Sequence, residues 1–187
     1  MGDGGNIRHY DGVVWRRLVS GTTIDIVDIW GGTNAQTEEQ TVLALASRRA
    51  QVPQAKKLLQ IQGTTVTAIS DSGLRTGLDG IWFVPGKKYY VSGDGLFFVN
   101  QVGAPWQTDT TQPLIYKYAV RGNDVNDVFV VGAFGLVSHY NGSTWKQYMG
   151  GELPSFSGSY YKVAVRKDFV IAVGYIGEKA IVLRGRR

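Results

Sequence analysis

The chain has 187 residues, 43% of them hydrophobic and 19% charged, which is enough apolar content for a packed core and excludes the disordered class. It contains no cysteine, so a disulfide, a thiolate nucleophile and cysteine-ligated zinc are all excluded. Its formal net charge is +5, carried partly by two small groups, Arg48, Arg49, Lys56 and Lys57, and the terminal Arg184, Arg186 and Arg187; neither has the interleaved stacking aromatics of a nucleic-acid surface.

In chain order, the opening MGDGGNIRHY lacks the apolar stretch of a signal peptide, and it leads into HYDGVVW at 9–15. TTIDIVDIWGG (22–32) alternates apolar and polar residues as a half-buried strand does, and TVLALAS (41–47) follows as a second strand. A longer insertion, RRAQVPQAKK, comes next, then a turn at Gly63 with Val66 beyond it. The pattern returns as GLDGIWFVPG (77–86), KKYYVSGDG (87–95) and the Gly103–Trp106 turn, and again as LIYKYAVRGN (114–123), DVFVVGAFG (127–135) and HYNGSTW (139–145). SYYKVAVRK (159–167), DFVIAVGYIG (168–177) and IVLRG (181–185) close the chain. No apolar run approaches the ~18 residues of a membrane helix.

These segments form a repeat. Glycines at 12, 63, 103 and 142 step by 51, 40 and 39 residues. Asp11-Gly12 and Asn141-Gly142 are strong hairpin signals, because a type I′ turn needs positive φ at both central positions. Each unit reads as strand a, strand b, a Gly turn, strand c, a tight turn, and strand d bearing Trp. Units of this size and pattern predict an all-β fold, a β-propeller of four-stranded antiparallel blades, with about four blades in this chain. The single domain, 1–187, divides into strands c and d of an incomplete blade (1–21), three blades (22–70, 71–112 and 113–154) and a last blade lacking its outer strand (155–187). VVWRRLV (13–19) is a candidate closing strand for that last blade. The surplus strand NIRHY points instead to a piece of a longer propeller or to two chains completing one another as a homodimer.

The motifs resemble the Asp-box repeat of bacterial-neuraminidase-type propellers, Ser-x-Asp-x-Gly-x-Thr-Trp. Ser138, Gly142, Thr144 and Trp145 match, as do Gly12 and Trp15, whereas the Asp position holds Tyr140 and Tyr10. DIWGG, GIWFVPGKKYYVSGDG, RGNDVNDVFVVGAFG and IVLRGRR resemble the C-terminal half of bacterial propeller chains, some of which carry the description glucosyltransferase or glycosyl hydrolase. The resemblance implies a propeller fold, a folding role for the Asp-box hairpin and a bacterial envelope or secreted setting. A carbohydrate-active enzyme is the alternative function that it implies.

The candidate functional residues divide by repeat position. His9 and His139 are repeat-equivalent, as are Trp15, Trp106 and Trp145, together with Gly12 and Gly142, which points to shared structural work and leaves a triad or His metal site without its central residue. Asp127 and Asp168 open strand b in successive blades, as position-equivalent turn caps would. No catalytic residue, metal or cofactor is assigned. Strand a places Trp30, Trp82, Arg121 and Arg166 before the a–b turn, a ring of aromatics and guanidinium forks suited to a carbohydrate, an acidic group or a peptide. The expected function is a non-catalytic binding or interaction module, with a carbohydrate, an acidic group or a peptide as ligand and nucleic acid disfavoured; the alternatives are a carbohydrate-active enzyme and a fragment of a longer propeller without a function of its own.

Overall fold

A computed structural model describes residues 2–48, 55–148, 152–153 and 157–186. The insertion after strand b of the first full blade, including Arg49, therefore lies largely outside the described residues, as does Arg187.

The strands fall into five antiparallel sheets that follow one another along the chain. A two-stranded ribbon, β1 (Ile7–Tyr10) and β2 (Trp15–Leu18), comes first. Three four-stranded sheets follow. Blade 1 holds β3 (Ile26–Thr33), β4 (Gln40–Arg48), β5 (Ala55–Gln62) and β6 (Thr65–Ile69). Blade 2 holds β7 (Leu78–Val84), β8 (Lys88–Gly93), β9 (Gly95–Val99) and β10 (Gln107–Thr108). Blade 3 holds β11 (Lys117–Asp124), β12 (Asp127–Gly132), β13 (Val137–Tyr140) and β14 (Trp145–Gln147). Blade 4 has three strands, β15 (Ser159–Arg166), β16 (Phe169–Ile176) and β17 (Lys179–Arg186). Among the described residues, no helix is long and apolar enough to cross a membrane.

The first strands of the blades, β3, β7, β11 and β15, lie side by side in chain order. Each carries a register shift at the same place, leaving Val27, Asp79, Tyr118 and Tyr161 as the extra residues. Such a bulge bends and twists a strand, which suits the crowded inner end of a blade. The Gly that ends strand b has a specific cause there. A Cβ on Gly132 would lie 2.2 Å from the Tyr116 carbonyl oxygen, and one on Gly174 would lie 1.9 Å from that of Ser159. Glycine lets strand b pass the bulged strand this closely in blades 2 to 4, whereas blade 1 carries Ala46 at the same position, opposite Ile26.

The hydrophobic cores lie between blades. Ile7 and Leu18 of the ribbon pack with Ala44, Ala46 and Leu59 of blade 1. Leu43, Leu45 and Leu58 of blade 1 meet Phe83, Tyr89 and Phe97 of blade 2. Trp82, Tyr90 and Leu96 of blade 2 meet Val120, Val128 and Val130 of blade 3. Phe129, Val131 and Val137 of blade 3 meet Tyr160, Val163 and Val170 of blade 4. In blades 1 to 3 the period-2 alternation thus serves two cores, one on either side of the sheet, whereas the ribbon and blade 4 each pack on one.

One expectation is corrected here. VVWRRLV does not supply the outer strand of blade 4: among the described residues, β2 pairs with β1 alone and β17 with β16 alone. The ribbon is committed to the opposite end of the array. Its docking is set by Ile7 and Leu18, by a bridge between Gly2 and Ile26, and by the Gly4 N–H donating to Asp25 Oδ1 at 2.7 Å.

Candidate functional site: the groove between blades 2 and 3

The repeat hairpins superpose bond for bond. Asn141 Oδ1 accepts the Ser143 and Thr144 N–H groups, and Asp11 Oδ1 accepts those of Val13 and Val14, all at 2.9 Å. Tyr140 and Tyr10 each donate to the carbonyl of the turn glycine, Gly142 or Gly12, at 2.8 Å and stand 5.2 Å from Trp145 or Trp15. The turn-capping oxygen therefore sits one residue beyond the Asp position of the Asp-box pattern. Its neighbouring N–H groups and Arg16 hold the Asp11 carboxyl down at about 2.

The other repeat residues show what blade stacking does to them. Trp106 is buried against blade 1, and Trp145 packs at the face of blade 2. Trp15, at the free face of the ribbon, is 65% exposed. His139 Nε2 lies 2.9 Å from Asp127 Oδ1 on its own blade, and its ring stacks on Phe129 at 4.2 Å. The ribbon has no strand b, and the buried Nδ1 of His9 has no partner among the described residues.

The ring expected from strand a does not form as a ligand face. Counted from the bulges, Trp30, Trp82 and Arg121 are equivalent, but the fourth position belongs to Ala164. Arg166 is two residues further on, at the turn, where it pairs with Phe169. Trp82 is 1% exposed and stacks on Tyr90, so it belongs to the core between blades 2 and 3. Arg121 is already occupied. Its Nη1 and Nη2 donate to the two oxygens of Asp28 at 3.0 and 2.9 Å, and Nη1 also donates to the Ile81 and Val120 carbonyls. Asp28 accepts the Ile81 N–H as well. Blades 1, 2 and 3 are thereby tied at their inner strands by one bidentate pair. Trp30 lies under this guanidinium, 4.9 Å from Cζ, and donates its indole N–H to the Phe83 carbonyl.

A concave site lies elsewhere, between the outer parts of blades 2 and 3, with a volume of about 490 Å³. Tyr90 and Phe98 of blade 2 and Tyr140 and Trp145 of blade 3 give it aromatic walls. Thr108 and Thr110 on one side and Ser143 and Thr144 on the other give it hydroxyls. Two charged side chains line it, Lys88 and Asp109. Asp109 is engaged: Oδ2 accepts the Trp145 indole N–H at 2.9 Å, and Oδ1 accepts the Thr111 N–H at 3.0 Å. The Lys88 ammonium stands 4.6 Å from the ring centre of Phe98, 5.2 Å from Tyr90 and 5.7 Å from Tyr140. Burial pushes its pKa below the ordinary value, and the charge of Asp109 opposes that shift. Burial likewise pushes the Tyr90 hydroxyl up.

Sequence reasoning marked Trp145 and Tyr140 as repeat residues but passed over Lys88 and Asp109. The available signal was spacing: Asp109 precedes Trp145 by 36 residues, close to one blade length, as a contact between neighbouring blades requires.

Antiparallel sheets stacked face to face, with their first strands side by side, define a β-propeller-like fold. No protein-family model and no curated protein matches the chain. Among solved structures, the one described as YCF48 bound to D1 peptide is similar, with a TM-score of 0.66 at 15% sequence identity over 99% of this chain. The match covers 58% of that chain, so the present chain spans little more than half its length. At this identity the likeness establishes the fold alone.

Proposed function

We propose that this chain is a non-catalytic interaction module that binds a peptide segment of a partner protein in the groove between blades 2 and 3. The observation that carries the reading is the groove itself: a roughly 490 Å³ concavity with aromatic walls, a hydroxyl rim and two charged groups suits a short extended segment. Fold-level analogy supports it, since a propeller of similar structure is described with a peptide bound. The acidic and histidine side chains favour binding over catalysis because so many already have structural partners: Asp28 holds Arg121, Asp127 holds His139, and Asp109 holds Trp145. A carbohydrate ligand would use the same aromatic faces and hydroxyls, and it is the competing reading.

The test is a heptapeptide array probed with the wild-type chain and with Thr110→Trp, which fills the groove from an exposed position. Peptides retained by the wild type should lose most of their signal with the variant, while a glycan array probed in parallel stays blank. Peptide signals indifferent to Thr110→Trp, or glycan signals sensitive to it, would overturn the reading.

A further inference from the structure

We infer that the groove between blades 2 and 3 is a carboxylate-recognition site, in which Lys88 receives the carboxylate of an acidic side chain or of a peptide C-terminus. The inference rests on the peptide-binding reading above and adds the chemistry by which the groove selects its ligand.

The argument begins with the unmet donors of Lys88. An ammonium carries three N–H donors, and buried polar groups are satisfied as a rule. Lys117 donates to the Pro113 and Ile115 carbonyls, and Lys56 donates to the Asp71 carbonyl while pairing with its carboxylate. Lys88 is half-buried, and no hydrogen-bond acceptor meets it among the described residues. Among the described residues its ammonium meets three aromatic rings, and the Asp109 charge in the same groove acts on it without a hydrogen bond. Ring faces attract a cation without taking up its N–H donors, so those donors stay open to an acceptor.

The position follows from the strand register. Lys88 opens β8 opposite Val84, and its side chain shares the sheet face of Tyr90. Phe98 pairs with Tyr90 from β9, and Tyr140 closes the third side from blade 3. The ammonium is thus confined at the groove wall rather than swinging in solvent, which lowers the entropy lost when a ligand binds.

Asp109 decides which ligand fits. Its carboxylate lies in the same groove and repels a second anion placed beside it. The donors from Trp145 and Thr111 spread that charge and fix its direction. A ligand carboxylate is therefore directed to the Lys88 end. An uncharged donor, such as a peptide N–H or a hydroxyl, suits the Asp109 end, where Oδ1 accepts the Thr111 N–H and hydroxyl and Oδ2, bonded to the Trp145 indole, can accept one more. A peptide offers both groups at short separation. A bare inorganic anion offers only one and meets the repulsion uncompensated.

The probe is the strongest heptapeptide from the array, made in four forms: with free or amidated C-terminus, each with its Asp and Glu kept or changed to Asn and Gln. Binding is followed on the full chain by the indole N–H resonance of Trp145, identified by its loss in Trp145→Phe. Removing the carboxylate that matters should weaken binding about tenfold or more. Which form loses affinity tells a C-terminal carboxylate from a side-chain one. Lys88→Met keeps the stem in its aromatic cage, and it should make the four forms bind alike. Should Lys88→Met fail to fold, the comparison of the four peptides decides alone. Four forms binding the wild type equally while shifting Trp145 would overturn carboxylate recognition and leave the peptide groove standing. No shift of Trp145 with any form would overturn both.

Discussion

The side chains that look most like ligand-binding groups in the sequence are the ones the blades use on each other. Arg121 and Asp28 have only 17% and 10% of their side-chain surface exposed, so truncating one leaves the other charged, buried and alone. Arg121→Met should cost about 3–5 kcal/mol in urea unfolding. The double variant with Asp28→Asn should cost clearly less than the sum of the two single changes, and strict additivity would mean that the pair is not coupled. Lys117 makes a second case. It is 1% exposed, and burial pushes its ammonium down to about 8 from an ordinary 10.5, against the pull of Asp109 and Asp94. Between those values the unfolded chain holds a proton that the folded chain has released, so stability rises with pH through that window. Lys88, lowered in the same direction, adds to the rise. Tyr160 and Tyr175, raised above 10, reverse it at higher pH. Urea midpoints at about pH 7.5 and about pH 9.5 should therefore climb for the wild type and flatten for Lys117→Met. None of this is legible in sequence. A Trp or Arg before a turn reads the same whether its face meets solvent or the next blade, and Asp28 lies 93 residues from its partner.

Along single elements the sequence says more, because alternation and turn chemistry are local. The hairpins at Gly12 and Gly142, the Gly ending strand b in blades 2 to 4, and the strands themselves follow from spacing and residue type. The turn type does not: Asp11 and Asn141 are not at positive φ, and four-residue loops capped by their side chains replace the type I′ turn. What alternation leaves open is whether a neighbour covers each face. β16 shows the consequence. Val170 and Ala172 point at blade 3 and are 7% and 0% exposed, while Ile171, Val173 and Tyr175 on the other face are 42%, 41% and 52% exposed. Both faces read as core in the sequence. Threonine separates them, since it retains the β-branch and strand preference of valine and isoleucine while adding one hydroxyl. Val170→Thr should destabilise by about 1–3 kcal/mol, through a buried hydroxyl with no acceptor. Ile171→Thr should stay within about 0.5 kcal/mol. Equal losses at the two positions would mean that something covers the second face in solution. The missed register of Arg166 is also an element-scale matter. The strings KYAVR (117–121) and KVAVR (162–166) align letter by letter, but Lys117 precedes the bulge of its strand and Lys162 follows that of its own, so only the pairing shows that Ala164 takes the position of Trp30, Trp82 and Arg121.

At the scale of the molecule, each core belongs to two successive blades, so stability should propagate as it does in a stacked array rather than in a single globule. Blade 2 has a core on both sides, whereas blade 4 and the ribbon each have one. A pure nearest-neighbour array would fray smoothly from both ends. The Asp28–Arg121 pair breaks that symmetry, because it joins blade 1 to blade 3 directly and takes in the Ile81 backbone of blade 2 on the way. Blades 1 to 3 should therefore open together, and blade 4 should open at lower free energy by itself. Native-state hydrogen exchange reads this amide by amide. The β7, β8 and β11 amides should exchange slowest and with a common opening free energy, and the β17 amides fastest among the long strands. In Arg121→Met the common value should split, with β3 and β4 exchanging faster than β7 and β8. If β15 to β17 instead shared the opening free energy of β7 in the wild type, blade 4 would be bound into the same cooperative unit. The tie at the inner strands would then not be what sets its boundary.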